Sequence, residues 1–224
     1  RVVTSHCAGG PNQVWSWDIT WMPAAVKGQY FYWYMMLDVF SRKIVGHEVH
    51  VAESAELAAL LMRKASLAEG LAGRSLVLHS DNGSAMKGAT MLATLEYLGV
   101  AASFSRPRVS NDNAYAESLF RTFKYRPDYP NKAFGSLEEA QAWTQKFVRW
   151  YNHEHKHSGL KFVTPAQRHA GQADAILRNR EQLYAAAKSS NPRRWSGQTR
   201  NWELQDEVWL NPERSQAEQL KQAA

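Results

Sequence analysis

Residues 13–23, QVWSWDITWMP, decide how the rest of the chain is read. Trp15, Trp17, Ile19 and Trp21 recur at every second position, the pattern of a half-buried β-strand. Asp18 points the other way, in the middle of that strand. A buried charge is costly unless it is paired or liganded. A central strand built around an acid therefore calls for a partner, and the partner must come from elsewhere in the chain.

The neighbouring segments supply the sheet. AAVKGQ (24–29) holds a Gly-containing turn, and YFYWYMMLDVF (30–40) is apolar on both faces, which predicts a central strand. SRK breaks it and IVGHEVHV (44–51) follows, so three strands joined by short turns form an antiparallel meander. The period then changes. Ser54 can cap a helix carrying Leu57, Leu60, Leu61 and Ala65 on one face. SLVLHS (75–80) is a buried strand and DNGS a turn; residues 89–100 form a helix closed by Gly99, and AASFS (101–105) another strand.

A further helix is expected from Asn113 to about Lys124, and a longer one from Ser136 to about His155, with Glu139 completing a capping box. Pro165 sits in the first turn of the next helix. From about Lys188 the chain is rich in Pro, Ser, Gly and Arg and reads as a linker or arm. WELQDEVWL (202–210) reads as a strand pair or hairpin, and the last residues as a frayed tail. The order β-β-β-α-β-α-β-α predicts an α/β fold of the ribonuclease H-like type. Such a fold has a mixed five-stranded sheet with helices on both faces, here followed by extra C-terminal helices and a short β arm.

Composition narrows the class. The 224 residues are 44% hydrophobic with nine Trp, enough for a packed core. No apolar run approaches the roughly 20 residues that span a bilayer, so no membrane partner is expected. The single cysteine, Cys7, excludes an internal disulfide framework and points to a reducing cytoplasm. The sequence begins RVVTSH without Met, so an upstream part is expected. The net charge of +6 suggests a polyanionic partner. Residues 103–170 hold most of that surplus, with 11 Lys and Arg against 6 Asp and Glu.

Two acids can meet Asp18. Asp81 lies just past the fourth strand in LHSDNGS, and Glu117 lies on the helix NAYAESLF, with 35 residues between it and Asp81. In the expected topology the first and fourth strands are neighbours, and the helix can cross their ends. Taken singly, Asp81 also reads as a turn former and Glu117 as a surface acid. Together, three converging carboxylates repel unless they surround cations. Hard oxygen donors suit Mg²⁺, with Mn²⁺ as substitute. A pair of such ions is the arrangement used in phosphoryl transfer.

WSWDITWMP, LDVFSRKIVG, LHSDNGSAM, SFSRPRVSNDNAYAESLFRTFKYR, FVRWYNHEHKHSGLKFVTPAQ and TRNWELQDEVWLNP together resemble the catalytic subunit of bacterial insertion-sequence transposases of the IS-three family, which have a retroviral-integrase-like core. The resemblance implies that Asp18, Asp81 and Glu117 are the catalytic metal ligands. It also implies cleavage and joining of DNA at the element's ends and into target DNA, by a dimer or higher oligomer in a bacterial cytoplasm. The family's helix-turn-helix end-recognition region would precede Arg1. Residues 1–12 are then an N-terminal linker, 13–170 the catalytic core, and 171–224 a C-terminal helix, basic arm and short β segment. A hydrolytic nuclease without joining activity and a non-enzymatic DNA-binding remnant are the rival readings.

Supporting residues follow from the same frame. Arg121 and Lys124 lie one and two turns after Glu117 and are expected at DNA phosphates. Arg106 and Arg108 sit in the loop before the helix, either feeding DNA to the site or simply solvated. Asn113 either caps that helix or orients substrate. His157 reads as structural or DNA-facing, and Asp38 as a partner of Arg42. Arg193, Arg194 and Arg200 form a basic arm that grips DNA or a partner subunit, or else a flexible linker.

Overall fold

In a computed structural model describing residues 4–107 and 110–213, five strands form one sheet. They are β2 (Val14–Pro23), β3 (Tyr30–Asp38), β4 (Ile44–His50), β5 (Leu76–Ser80) and β6 (Val100–Phe104), in the order β4-β3-β2-β5-β6. β2, β3 and β4 pair antiparallel, while β5 and β6 extend the sheet in parallel from β2. The expected meander and its parallel extension are both present. A separate pair joins β1 (His6–Ala8), within the expected linker, to β7 (Val208–Leu210). The expected C-terminal hairpin is thus a single strand whose partner is the start of the chain.

Alternation in β2 and β3 divides the core in two. Trp15, Trp17, Tyr34 and Met36 face α1 (Ala55–Ala68) and α3 (Ala89–Tyr97). Met22, Trp33, Met35 and Leu37 face α4 (Ala114–Lys124) and α5 (Leu137–His153). A short helix, α2 (Ser84–Lys87), begins on the last residue of the expected DNGS turn. Ser54 caps α1, accepting from the N–H groups of Glu56 and Leu57. Ser136 caps α5, but Glu139 reaches back to the Gly135 N–H at 2.7 Å, one residue earlier than the expected box requires. Trp21 departs from the expected core row: it is 50% exposed, and its indole donates to Glu53 at 2.6 Å.

Asp38 is fully buried and does not pair with Arg42. Its carboxylate accepts from the Asn12 N–H at 2.7 Å, and from the Ser41 N–H and hydroxyl at 2.7 and 2.6 Å. Two donors from Ser41 in its own turn and one backbone N–H from the segment before β2 satisfy it without a long side chain. Beyond α5, α6 (Pro165–His169) opens with a Thr164–Gln167 capping box and leads to α7 (Ala173–Ser190). The basic stretch after α7 is not a free linker. Trp202 is buried with Leu160, Val163, Ala173 and Leu177, and Trp195 packs against Tyr184.

Candidate active site

Asp18 lies opposite Met35 in the β2–β3 pairing, on the sheet face that α4 covers. The parallel pairing Val14–Val77, Trp15–Leu78, Ser16–His79, continued by two residues, sets Asp81 beside Asp18. Glu117 stands exposed in the first turn of α4, where the helix dipole favours a carboxylate. Two buried hydrogen bonds hold this end of α4 to β2. The Ser16 hydroxyl donates to Asn113 Oδ1, and Asn113 Nδ2 donates to the Trp17 carbonyl at 3.2 Å. Asn113 therefore does not cap the helix with its side chain; it is buried and clamps α4 to β2.

The electrostatics record this convergence. Burial pushes the Asp18 carboxyl up to about 7; the Asp81 charge adds to this, the Ile19 N–H opposes it, and Glu117 and Glu53 add smaller pushes. Ile19 N–H donates to Asp18 Oδ1 at 2.8 Å, and Gly83 N–H to Asp81 Oδ1 at 3.0 Å. Each acid is thus held by its own backbone. Among the described residues no three His, Cys, Asp or Glu side chains come close enough to hold a metal ion. The acids share a field without forming a closed cage. Their donor chemistry, hard oxygens in mutual repulsion, fits a divalent cation. Glu53 went unnoticed in the sequence because only the tertiary fold brings the loop before α1 towards Asp18.

The segment after Asp81 is tightly shaped. A Cβ on Gly83 would meet Met86 Sδ at 2.8 Å and Asp81 Oδ1 at 3.2 Å, so a larger residue there would displace the Met86 side chain beside Asp81. Asn82 donates to the Ser105 carbonyl at 2.7 Å, joining the loops that leave β5 and β6. His79 is buried between the Ser103 and Ser105 hydroxyls, and burial, with His6 nearby, pushes its pKa down to about 4. It is neutral at physiological pH, and its ring joins β5 to the Ser103 and Ser105 hydroxyls at the end of β6.

The basic residues are placed unevenly. Arg121 and Lys124 project from α4; burial lowers the Lys124 pKa and the Asp18 charge opposes that, so Lys124 lies within reach of the site. Arg106 is engaged rather than free. Its guanidinium forms a fork on Asp112, with both N–O distances at 2.9 Å. Arg108 lies outside the described residues. His157 is partly buried, and burial, with Arg42 and His155 nearby, pushes its pKa down to about 4; its Nδ1 is buried without a partner among the described residues. Arg193 and Arg194 are exposed after α7, and Arg200 stacks 5.0 Å from the Phe162 ring and 5.6 Å from the Trp202 ring. The C-terminal strand also braces the site. Tyr115 on α4 donates to the Trp209 carbonyl at 2.8 Å, and Asn211 to the Asp112 carbonyl at 2.8 Å.

A mixed five-stranded sheet with one acid on a central strand, a second just past the end of its neighbour and a third on a crossing helix is a ribonuclease H-like core of the integrase type. Two integrase core domain profiles match the chain, over residues 8–110 and 98–165. The transposase for insertion sequence element IS904 of Lactococcus lactis is 33% identical over 164 residues, 70% of this chain and 61% of that protein. Transposase InsF for insertion sequence IS3A of Escherichia coli is 28% identical over 161 residues, 71% of this chain and 54% of that protein. The chain belongs to the integrase core family, among the insertion-sequence transposases of the IS-three kind. It spans a little over half the length of these relatives.

Solved structures agree on the fold. A chain of the simian T-cell lymphotropic virus intasome superposes with a TM-score of 0.55 at 18% identity, covering 72% of this chain and 55% of that one. The HTLV-2 integrase catalytic core domain in its dimeric form, solved with magnesium, gives 0.52 at 17% identity, covering 71% and 97%.

Proposed function

We propose that the chain is the catalytic part of a transposase that cuts DNA at the ends of an insertion sequence and joins those ends to target DNA. What supports this reading is that Asp81 and Glu117 both act electrostatically on Asp18 across the end of α4, with Lys124 in the same field. Asp18, Asp81 and Glu117 would hold Mg²⁺, or Mn²⁺ in its place, as two ions. Such ions, when bound, activate the attacking oxygen and stabilise the leaving one in phosphoryl transfer.

The protein's own part is positioning. Ser16 and Asn113 fix the head of α4, so that Glu117 is presented next to β2. Arg121 and Lys124 neutralise phosphates beside the scissile bond, which sets the DNA's place without reading its sequence. The Arg106–Asp112 fork fixes the loop that precedes α4. Neutral, buried His79 takes no proton.

The element's ends and the target are the DNA partners, and two ends held together imply at least a dimer on DNA. Bacterial DNA lies in the cytoplasm, and among the described residues no helix is long and apolar enough to cross a membrane. A pre-nicked, end-labelled oligonucleotide incubated with Mn²⁺ tests the reading. Products longer than the substrate support strand transfer; shortened products alone assign the site to hydrolysis.

A further inference from the structure

Away from the three acids, a cavity of about 300 Å³ opens between the β3–β4 turn, residues 158–161, α6 and the C-terminal segment. Arg42, Lys161 and Arg168 line it, against one acid, Glu203, which is exposed. Arg168 is 7% exposed. Its guanidinium lies 4.1 Å from the Phe40 ring, donates to the Gln205 carbonyl at 2.8 Å and stands 3.8 Å from Asp174, yet its Nε is buried with no partner among the described residues. Burial lowers its pKa; Asp174 and Asp206 oppose this and Arg42 adds to it, so two guanidinium groups repel each other here. Lys161 Nζ has no acceptor among the described residues.

The backbone adds an independent sign. Arg42 has φ 64°, Lys161 φ 52° and its neighbour Phe162 φ 65°, the left-handed region that glycine or asparagine adopts cheaply. A chain needing only the turns would place glycine there. Backbone of this kind clusters at ligand clamps and other functional sites.

We propose that this cavity is a phosphate-binding site formed by Arg42, Lys161 and Arg168. Two guanidinium groups and an ammonium lining one cavity, against a single exposed lining acid, suit a tetrahedral oxyanion. The phosphate is either one in a DNA backbone, in which case the site deepens the proposed function, or a free phosphate.

Lys161→Gly tests the site without unfolding it, because glycine relaxes the strained φ. Wild type and variant are melted in inorganic phosphate and in chloride at matched ionic strength. General salt stabilisation acts on both alike. Binding of a fluorescent duplex, without divalent ions, is followed across 50–200 mM KCl. A phosphate-dependent rise in Tm in the wild type alone, with an unchanged salt slope for DNA, assigns a free phosphate. A salt slope reduced by about 1 in the variant assigns a backbone phosphate. An identical phosphate response and an identical slope in both proteins overturn the proposal. Because no divalent ion is present, a failure of strand transfer leaves these readouts untouched.

Discussion

Ser16 on the central strand and Asn113 at the head of α4, 97 residues apart in sequence, share a buried hydrogen bond. The position of Glu117, one helical turn beyond Asn113, depends on that clamp. Replacing Asn113 by Ala leaves the Ser16 hydroxyl and the Trp17 carbonyl without their buried partner, at a cost of about 1–3 kcal/mol. In denaturant unfolding, Ser16→Ala and Asn113→Ala are expected to be non-additive, with a coupling of about 0.5–3 kcal/mol. Strict additivity would show that the clamp does not operate.

Asp81→Asn and Glu117→Gln are expected to leave DNA affinity intact and to lower Mn²⁺-supported joining by on the order of 10³-fold, equivalent to about 4 kcal/mol of barrier. The check is a joining assay run alongside a binding titration. Turnover at the wild-type rate in either variant removes that acid from the site.

Asp18 gives a pH signature. Its folded value of about 7 lies above the ordinary 3.8, so the fold favours the protonated form. That contribution is fully present below about pH 4 and is lost as pH rises through about 7. Metal-free protein should therefore lose stability across this window, by on the order of 2–4 kcal/mol, and Asp18→Asn should flatten the loss. Mn²⁺ should raise the wild-type Tm more at pH 8 than at pH 5. Thermal melts across this range check both.

Much of this was legible because single segments carried their own signals. The period of two in β2, the aromatic density of β3 and the Ser54 and Ser136 caps each arise from local chemistry, so the strand order and helix starts followed. What escaped was tertiary. Nothing near Val208 announces that its strand pairs with His6–Ala8, and nothing in Arg106 announces its fork on Asp112. Asn113 looked like a cap because Asn favours helix starts, but a buried hydroxyl on β2 competed successfully for its side chain. Trp21 followed the strand's alternation, yet lies where neither buried cluster covers it.

Arg121 and Lys124 are expected to act through charge alone. Alanine at either position should reduce the salt slope of DNA binding by about 1 and weaken affinity evenly across sequences. Melting temperatures should change little, since Arg121 is exposed and Lys124 only partly covered. Fluorescence anisotropy at several salt concentrations is the measurement; unchanged slopes would move the DNA path away from this face of α4.

The central claim is that Asp18, Asp81 and Glu117 serve one divalent-ion site. Anomalous diffraction from crystals soaked in Mn²⁺ tests it most directly. The account predicts a peak coordinated by Asp18 and Asp81, with Glu117 completing the site for a second ion. Ordered carboxylates with no manganese between them, or manganese bound only elsewhere, would contradict it.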